Sequence, residues 1–515
     1  MATVKKSVFE KGNWLRCLIG SAALVFAAGI ANAYTTDPVT GCRILRFTPD
    51  SEEFTSFKTT WQNNAGYYFK DGDVYEFEES NDPYVFPRTN SQGNHPRITF
   101  RGVKADGSPA DPAKVVLQSD SADANYRFEG GSVSNVFENL TFSNMPIFIR
   151  SDYNTVSNCI FTGMKKNSAI YGQYAVNNNY ICPGWSCSAM DCRFENALWE
   201  GPGAARLLYC FAATNCVFYG NFNNTTGLNG GGAIAGVGNL SCYNCSFTGN
   251  YTSGAFGGAI NLSNAGTIAL DRCSLTGNYV ACVLEDNLLN RTSSIGGGAI
   301  SISEAVTGCV HNCLFTGNYI TIAKSKNVYG GAIRLFSSGA VISVENCTFA
   351  GNTIAVEGTN QDNGGAIGVH TGTVGVTNCI FYANHGMLGT TSWRTSHLSV
   401  PDWSLVANCL EANFEEGGTT YDFSSIDTGA APTTHIVNGV NGNKVGNYDP
   451  KFTDASNGDY TLQKGSPCRD AGALLAWMDS SSLDLAGTAR VFGDHPDIGC
   501  YEWWQKLMGL SIFVR

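Results

Sequence analysis

One unit, written over and over, constrains this chain more than any other feature. Gly330-Gly331-Ala332-Ile333 is followed by Asn346-Cys347-Thr348-Phe349-Ala350-Gly351-Asn352, and the pair recurs as Gly364-Gly365-Ala366-Ile367 and Asn378-Cys379-Ile380-Phe381-Tyr382-Ala383-Asn384. Gly-Gly-Ala-Ile copies end at Ile234, Ile260, Ile300, Ile333 and Ile367. The Cys-x-Phe half is centred on Cys216, Cys245, Cys273, Cys313, Cys347 and Cys379, with weaker copies at Leu140, Cys159, Cys192 and Cys409. From Cys159 onward these cysteines lie 24 to 40 residues apart. Self-similarity at that period means a solenoid, a propeller or an array.

The local pattern selects strands. Ile342 and Val344 alternate, Glu345-Asn346 interrupt, and Cys347 and Phe349 alternate again. Two runs of period two around two polar residues read as two short strands joined by a tight bend. Gly-Gly-Ala-Ile-x-Leu is expected to supply the third. The fold class is thus all-β, a parallel β-helix: a solenoid with three short strands per coil and capped ends. The second bend residue is Asn139, Asn158, Asp191, Asn215, Asn244, Arg272, Asn312, Asn346, Asn378 or Asn408. Asn tolerates left-handed backbone best among residues with a side chain, so the row reads as one turn stacked on itself. Strands about 4.8 Å apart would set Cys on Cys and Phe on Phe at every coil.

With Phe247-Thr248-Gly249-Asn250 and Phe315-Thr316-Gly317-Asn318, the Gly-Gly-Ala-Ile copies resemble the polymorphic outer-membrane protein repeats of chlamydiae. The resemblance spans roughly residues 136 to 384. More broadly the chain looks like the pectate-lyase-like superfamily of right-handed β-helices, to which Asp71-Gly72-Asp73 and Ile98-Thr99-Phe100-Arg101-Gly102 add a second likeness. Asp449-Pro450-Lys451-Phe452, Ser466-Pro467-Cys468-Arg469-Asp470-Ala471-Gly472 and Asp497-Ile498-Gly499-Cys500-Tyr501-Glu502 resemble the C-terminal region of choice-of-anchor Q proteins. That likeness implies a surface or secreted protein and implies no enzyme.

Four sections follow. Residues 1–33 read as a signal peptide: Lys5, Lys6, Lys11 and Arg16, an apolar run from Leu18 to Ile30, then Ala31-Asn32-Ala33. Residues 34–135 form an N-terminal cap and first coils, with Phe47, Phe54, Phe57 and Trp61 in the cap. Residues 136–416 carry the repeats, and 417–515 close the structure. The expected location is exported: at the cell surface, associated with an outer membrane, or extracellular. The apolar run of about 13 residues is too short to span a bilayer, so the chain is not expected to be transmembrane. Loss of four basic residues and Glu10 with the leader would take the net charge from −11 to about −14, wrong for a nucleic-acid partner. A monomer is expected.

The cysteines of the row from Cys159 to Cys409 are expected to be buried free thiols, because strand spacing exceeds disulfide reach. Cys468 and Cys500 stand outside the row and are expected to pair. Cys182, Cys187 and Cys192 lack the spacing of a metal cluster, so no metal site and no cofactor is expected; calcium is the one ion the related lyases would suggest.

For chemistry, the position after Gly-Gly-Ala-Ile carries Ala235, Asn261, Ser301, Arg334 and Gly368, which is not a row of carboxylates. Asp271, Arg272 and Arg334 are the catalytic candidates, as acid and cationic groups of a lyase-type site. His311, His370 and His385 read as surface or turn residues. Tyr251, Phe256, Tyr279, Tyr319 and Tyr329 are the ligand-binding candidates, because aromatic faces stack on sugar rings. Two functions remain open. One is a non-catalytic, adhesin-like binding scaffold that contacts polysaccharide or a surface protein. The alternative is a polysaccharide lyase or glycoside hydrolase.

Overall fold

The computed structural model describes residues 34–38, 40–62, 70–87, 97–120, 134–149, 153–165, 169–172, 187–200, 210–224, 230–236, 238–254, 256–282, 294–322, 327–356, 362–387, 397–416, 419–421 and 436–504. Residues 1–33, Cys182 and Trp393 lie outside them, as does the side chain of Trp61. The chain is all-β with large parallel sheets and divides into two compact units, Met1–Ile160 and Phe161–Arg515.

In the first unit the strands Arg43–Phe47, Asp73–Glu78, Ile98–Val103, Val136–Glu138 and Asn154–Ser157 pair in parallel, in that order. Tyr34–Thr36 pairs with the first of them antiparallel. The helix Glu52–Gln62 contributes Phe54 and Phe57 to a cluster with Phe47, Tyr75, Phe77, Tyr84 and Phe86. Asp73 of the Asp-Gly-Asp motif is buried and accepts from the Arg43 guanidinium at 2.9 Å. Gly72 and Gly102 are dictated by space: a Cβ would meet Cys42 Sγ at 2.5 Å and the Asn139 carbonyl at 2.0 Å. Arg46, Glu76, Arg101 and Glu138 hold matching positions on four neighbouring strands, and buried Glu76 takes bonds from both arginines. The motif that resembles pectate lyases therefore builds strand pairing here.

The second unit stacks like on like. Phe161, Phe194, Phe218 and Phe247 lie face to face at 4.5 to 4.9 Å, and Phe315, Phe349 and Phe381 continue beyond Leu275 at 4.7 and 5.2 Å. All ten bend residues, Asn139 and Asn158 of the first unit among them, are left-handed, with φ from 47° to 58°, Arg272 included. Each of the nine cysteines after a bend points its thiol at the carbonyl two residues back, from Cys159 to Ser157 at 3.2 Å through Cys313 to His311 at 2.9 Å to Cys409 to Ala407 at 3.3 Å. In the repeat that carbonyl also receives the bend N–H of the preceding strand, as in Asn346 N–H to Thr377 O. The thiol fills its second acceptor site while remaining small enough to pack.

Gly-Gly-Ala-Ile supplies a strand, as at Ile260–Leu262 and Ile300–Ile302, but in the same sheet as the strand after it: Ile300–Ile302 and Val306–His311 both pair with the long strand Ile333–Glu345. The additional sheet comes from residues just after each Phe-x-x-Asn, namely seven strands from Leu198–Glu200 to His385–Met387. The first Gly of each motif is left-handed, as at Gly330 (φ 66°). The second has no room, since a Cβ on Gly331 would sit 2.0 Å from the Gly365 carbonyl.

The turn into that sheet is held by a second row of asparagines. Asn221, Asn250, Asn278, Asn318, Asn352 and Asn384 are all buried. Each donates through Nδ2 to a Phe or Leu carbonyl of the preceding repeat, and in the first five both that group and the backbone N–H reach Oδ1 of the next Asn. The ladder ends where Asn384 Nδ2 meets His397 Nδ1 at 3.0 Å. Because Asn384 Oδ1 already accepts from Asn352, the Asn384 amide must donate there, and His397 Nδ1 is the acceptor.

Candidate functional site

The chemically able side chains collect in two places. At the first, each repeat ends a strand two residues before its cysteine, and register lays Tyr243, Asp271, His311 and Glu345 side by side. Asp271 Oδ1 accepts from Asn312 Nδ2 at 2.8 Å, and burial pushes its carboxyl up. Arg272 donates to the Tyr243 hydroxyl at 2.6 Å. His311 Nε2 lies 2.9 Å from Glu345 Oε2. The Trp477 indole N–H donates to the same carboxylate oxygen at 2.6 Å, and its ring stacks on the imidazole at 4.4 Å. Burial pulls His311 down, but the neighbouring Cys309 and Glu345 outweigh it and push it up to about 10. It is therefore charged at neutral pH, and only 13% of the side chain is exposed. His311 is a clamped strand residue, not the surface or turn residue the sequence suggested.

Trp477 arrives on a segment whose course the sequence did not reveal. Residues 473–502 lie back across the bends. Asn378 exchanges two bonds with the Ala473 backbone, at 2.8 and 2.9 Å. Asn346 Nδ2 reaches the Asp497 carbonyl at 3.1 Å, and Arg490 reaches Asn312 at 3.3 Å. The motif side chains hold this segment together. Arg490, fully buried, donates to Glu502 Oε1 and to the carbonyls of Asp497 and Gly499. Asp484 and Asp497 accept backbone N–H groups of Thr488, Glu502, Asp470 and Trp503. Every one of these roles is structural.

Arg334 is elsewhere. It sits at the start of Ile333–Glu345, opposite Ser301, whereas Glu345 ends the same strand. Its guanidinium lies between the rings of Phe256 and Phe336, at 4.4 and 4.5 Å, and donates to Ser301 and Ser303. Burial pulls it down to about 9. Asp271 and Arg272 are neighbours, but Arg334 does not join them, so the three catalytic candidates form no single site.

The aromatic candidates also divide. Phe222, Tyr251, Tyr279 and Tyr319 stack face to face at 4.1, 4.6 and 4.7 Å. Their faces cover one another, so what they offer a ligand is edges and hydroxyls. Phe256 is engaged with Arg334, and Tyr329 meets His370 edge-on at 5.2 Å. An apolar cavity of about 40 Å³ between Phe194, Phe218, Phe222 and Gly232 is too small for a sugar.

Cys468 and Cys500 are both free and buried, which corrects the expected disulfide. The Cys468 carbonyl receives the Ile498 N–H, which sets Cys468 beside Ile498 and leaves Cys500 two residues further on. The Cys500 N–H instead donates to Thr348 Oγ1 at 3.2 Å. The row thiols are free, as expected. Among the described residues no group of three His, Cys, Asp or Glu side chains is arranged to hold a metal, and no helix is long and apolar enough to cross a membrane. No family model matches the chain, and no curated protein matches it.

Proposed function

We propose that the protein is an exported, surface-displayed or secreted binding scaffold of the right-handed parallel β-helix type, non-catalytic and adhesin-like, whose ligand is polysaccharide or a surface protein. One observation carries this reading. The side chains from which a lyase or hydrolase would be assembled are held apart and engaged by the protein itself: Asp271 by Asn312, His311 by Glu345 beneath Trp477, and Arg334 between two rings. Long in-register rows are, in contrast, what an extended partner can follow. The β-helix reading draws support from the repeat itself, from stacked Asn, Cys and Phe rows, and from the resemblance to chlamydial repeats; the export reading draws on residues 1–33. A polysaccharide lyase or glycoside hydrolase is the alternative, and fold alone accommodates both.

Retention of the purified protein on immobilised acidic and neutral polysaccharides tests the scaffold. The tyrosine edge row predicts that Tyr279→Ala weakens retention by several fold without loss of fold. Equal retention of the variant on every polymer that holds the parent removes the tyrosines from the site. No retention on any polymer turns the reading to a protein ligand.

A further inference from the structure

Two partly exposed thiols stand out among the otherwise buried described cysteines, Cys42 and Cys309. Cys42 points at the Thr40 carbonyl, 3.9 Å away. Cys309 has richer surroundings. It and His311 are alternate residues of the strand Val306–His311, and Val310 between them is buried. Both side chains therefore share the outer face. His311 lies two residues beyond Cys309 on that face and makes an ion pair with Glu345 at 2.9 Å. Trp477 fixes the arrangement from outside, with its ring on the imidazole and its N–H on Glu345. Asp271 occupies the matching position on the preceding strand and adds a second carboxyl beside the ring. Thiol, imidazole and carboxylate thus follow in the order that activates a sulfur nucleophile: nucleophile, cationic partner, orienting group.

We propose that Cys309 is a reactive thiol, with His311 as its charged partner and Glu345 and Trp477 as positioning residues, and that it exchanges with small-molecule disulfides. A thiolate is the attacking species in such exchange, and a neighbouring imidazolium favours it. The Cys309 sulfur attacks one sulfur of the disulfide. A new S–S bond forms as the old one breaks, and the second sulfur leaves with the electron pair. The proton given up by Cys309 ends on the departing sulfur when that is an aliphatic thiolate and in the buffer when it is the acidic aromatic one. The product is one mixed disulfide on the outer face, with no further oxidant consumed. The row cysteines differ in kind: they are buried and turned onto backbone carbonyls.

The test uses the full-length protein, an aromatic disulfide that releases a coloured thiolate, and a tripeptide disulfide. The expected result is one fast equivalent at pH 6 to 7, mapped to Cys309 by peptide mass spectrometry and absent in Cys309→Ser. That rate should exceed the rate of the same thiol in the urea-unfolded chain by at least tenfold. His311→Gln should slow it about tenfold at pH 7 and make it climb with pH; Glu345→Gln should do so more weakly. A fast adduct at another cysteine, or a folded-state rate no higher than the unfolded one, overturns the proposal without any variant. So does a folded His311→Gln protein that reacts at the parental rate.

Discussion

Replacing Asn318 tests the buried ladder at its middle. The side chain makes four bonds: Nδ2 to the Leu275 carbonyl at 2.8 Å and to Asn352 Oδ1 at 2.9 Å, and Oδ1 from the N–H and Nδ2 of Asn278, both at 3.0 Å. The residue is fully buried, so water does not replace what alanine removes. At about 1 kcal/mol net per bond, and with the Asn278 N–H stranded, Asn318→Ala should cost about 4 kcal/mol. Asn318→Asp keeps the shape and the accepting oxygen but turns both donations into oxygen–oxygen contacts. It should be at least as damaging at neutral pH and partly recover in acid, where the protonated carboxyl donates once. The control is Asn244→Ala, an exposed member of the bend row, where the losses are one bond to Asn215 and left-handed comfort, about 1 to 2 kcal/mol. Urea unfolding followed by far-UV circular dichroism compares them at one denaturant concentration. If Asn318→Ala costs no more than Asn244→Ala, the ladder is not what holds this turn.

Further outcomes follow from the same contacts. Arg490→Met strands the Glu502 carboxylate in a buried site and should cost about 3 to 5 kcal/mol, read by urea unfolding, with Trp477 emission shifting red as its segment loosens. The His311 contribution has a definite sign: a folded pKa raised above the ordinary 6.5 means its stabilisation is complete below that pH and is lost as pH climbs through about 10. The unfolding midpoint should therefore fall between pH 7 and 10.5, and His311→Gln should flatten that fall. His397→Phe removes the acceptor at the ladder's end and should cost about 1 to 3 kcal/mol, checked by thermal unfolding.

Much of the fold was legible because it repeats. Asn at the bend announced left-handed backbone, and even Arg272, the exception, adopts φ 54° there, since stacking enforces what its own preference does not. The inward Cys and Phe rows followed from alternation. What stayed hidden was the sheet after Phe-x-x-Asn, because the strands Tyr251–Thr252 and Leu198–Glu200 are too short to show a period. The path of residues 473–502 was hidden for another reason: motifs such as Asp497…Glu502 state which residues bond one another, not which bends they lie on. Within the site, Cys309 and His311 alternate visibly on one strand, and Glu345 holds the place before Cys347 that His311 holds before Cys313. That positional match was the signal for the cluster. Trp477, 132 residues further along, carried none. Arg334 misled because an arginine beside a glycine motif looks like surface chemistry, whereas two phenylalanine rings bury it.

The central claim is that these charged side chains serve the fold and a binding surface, not turnover. The most direct measurement incubates the purified protein with acidic and neutral polysaccharides, with and without calcium, and follows new reducing ends and unsaturated products over hours. The account predicts no product above the level of heat-unfolded protein. Product that accumulates in proportion to protein, and that Asp271→Asn or Arg334→Met abolishes in a folded variant, would contradict it and establish the enzyme reading instead.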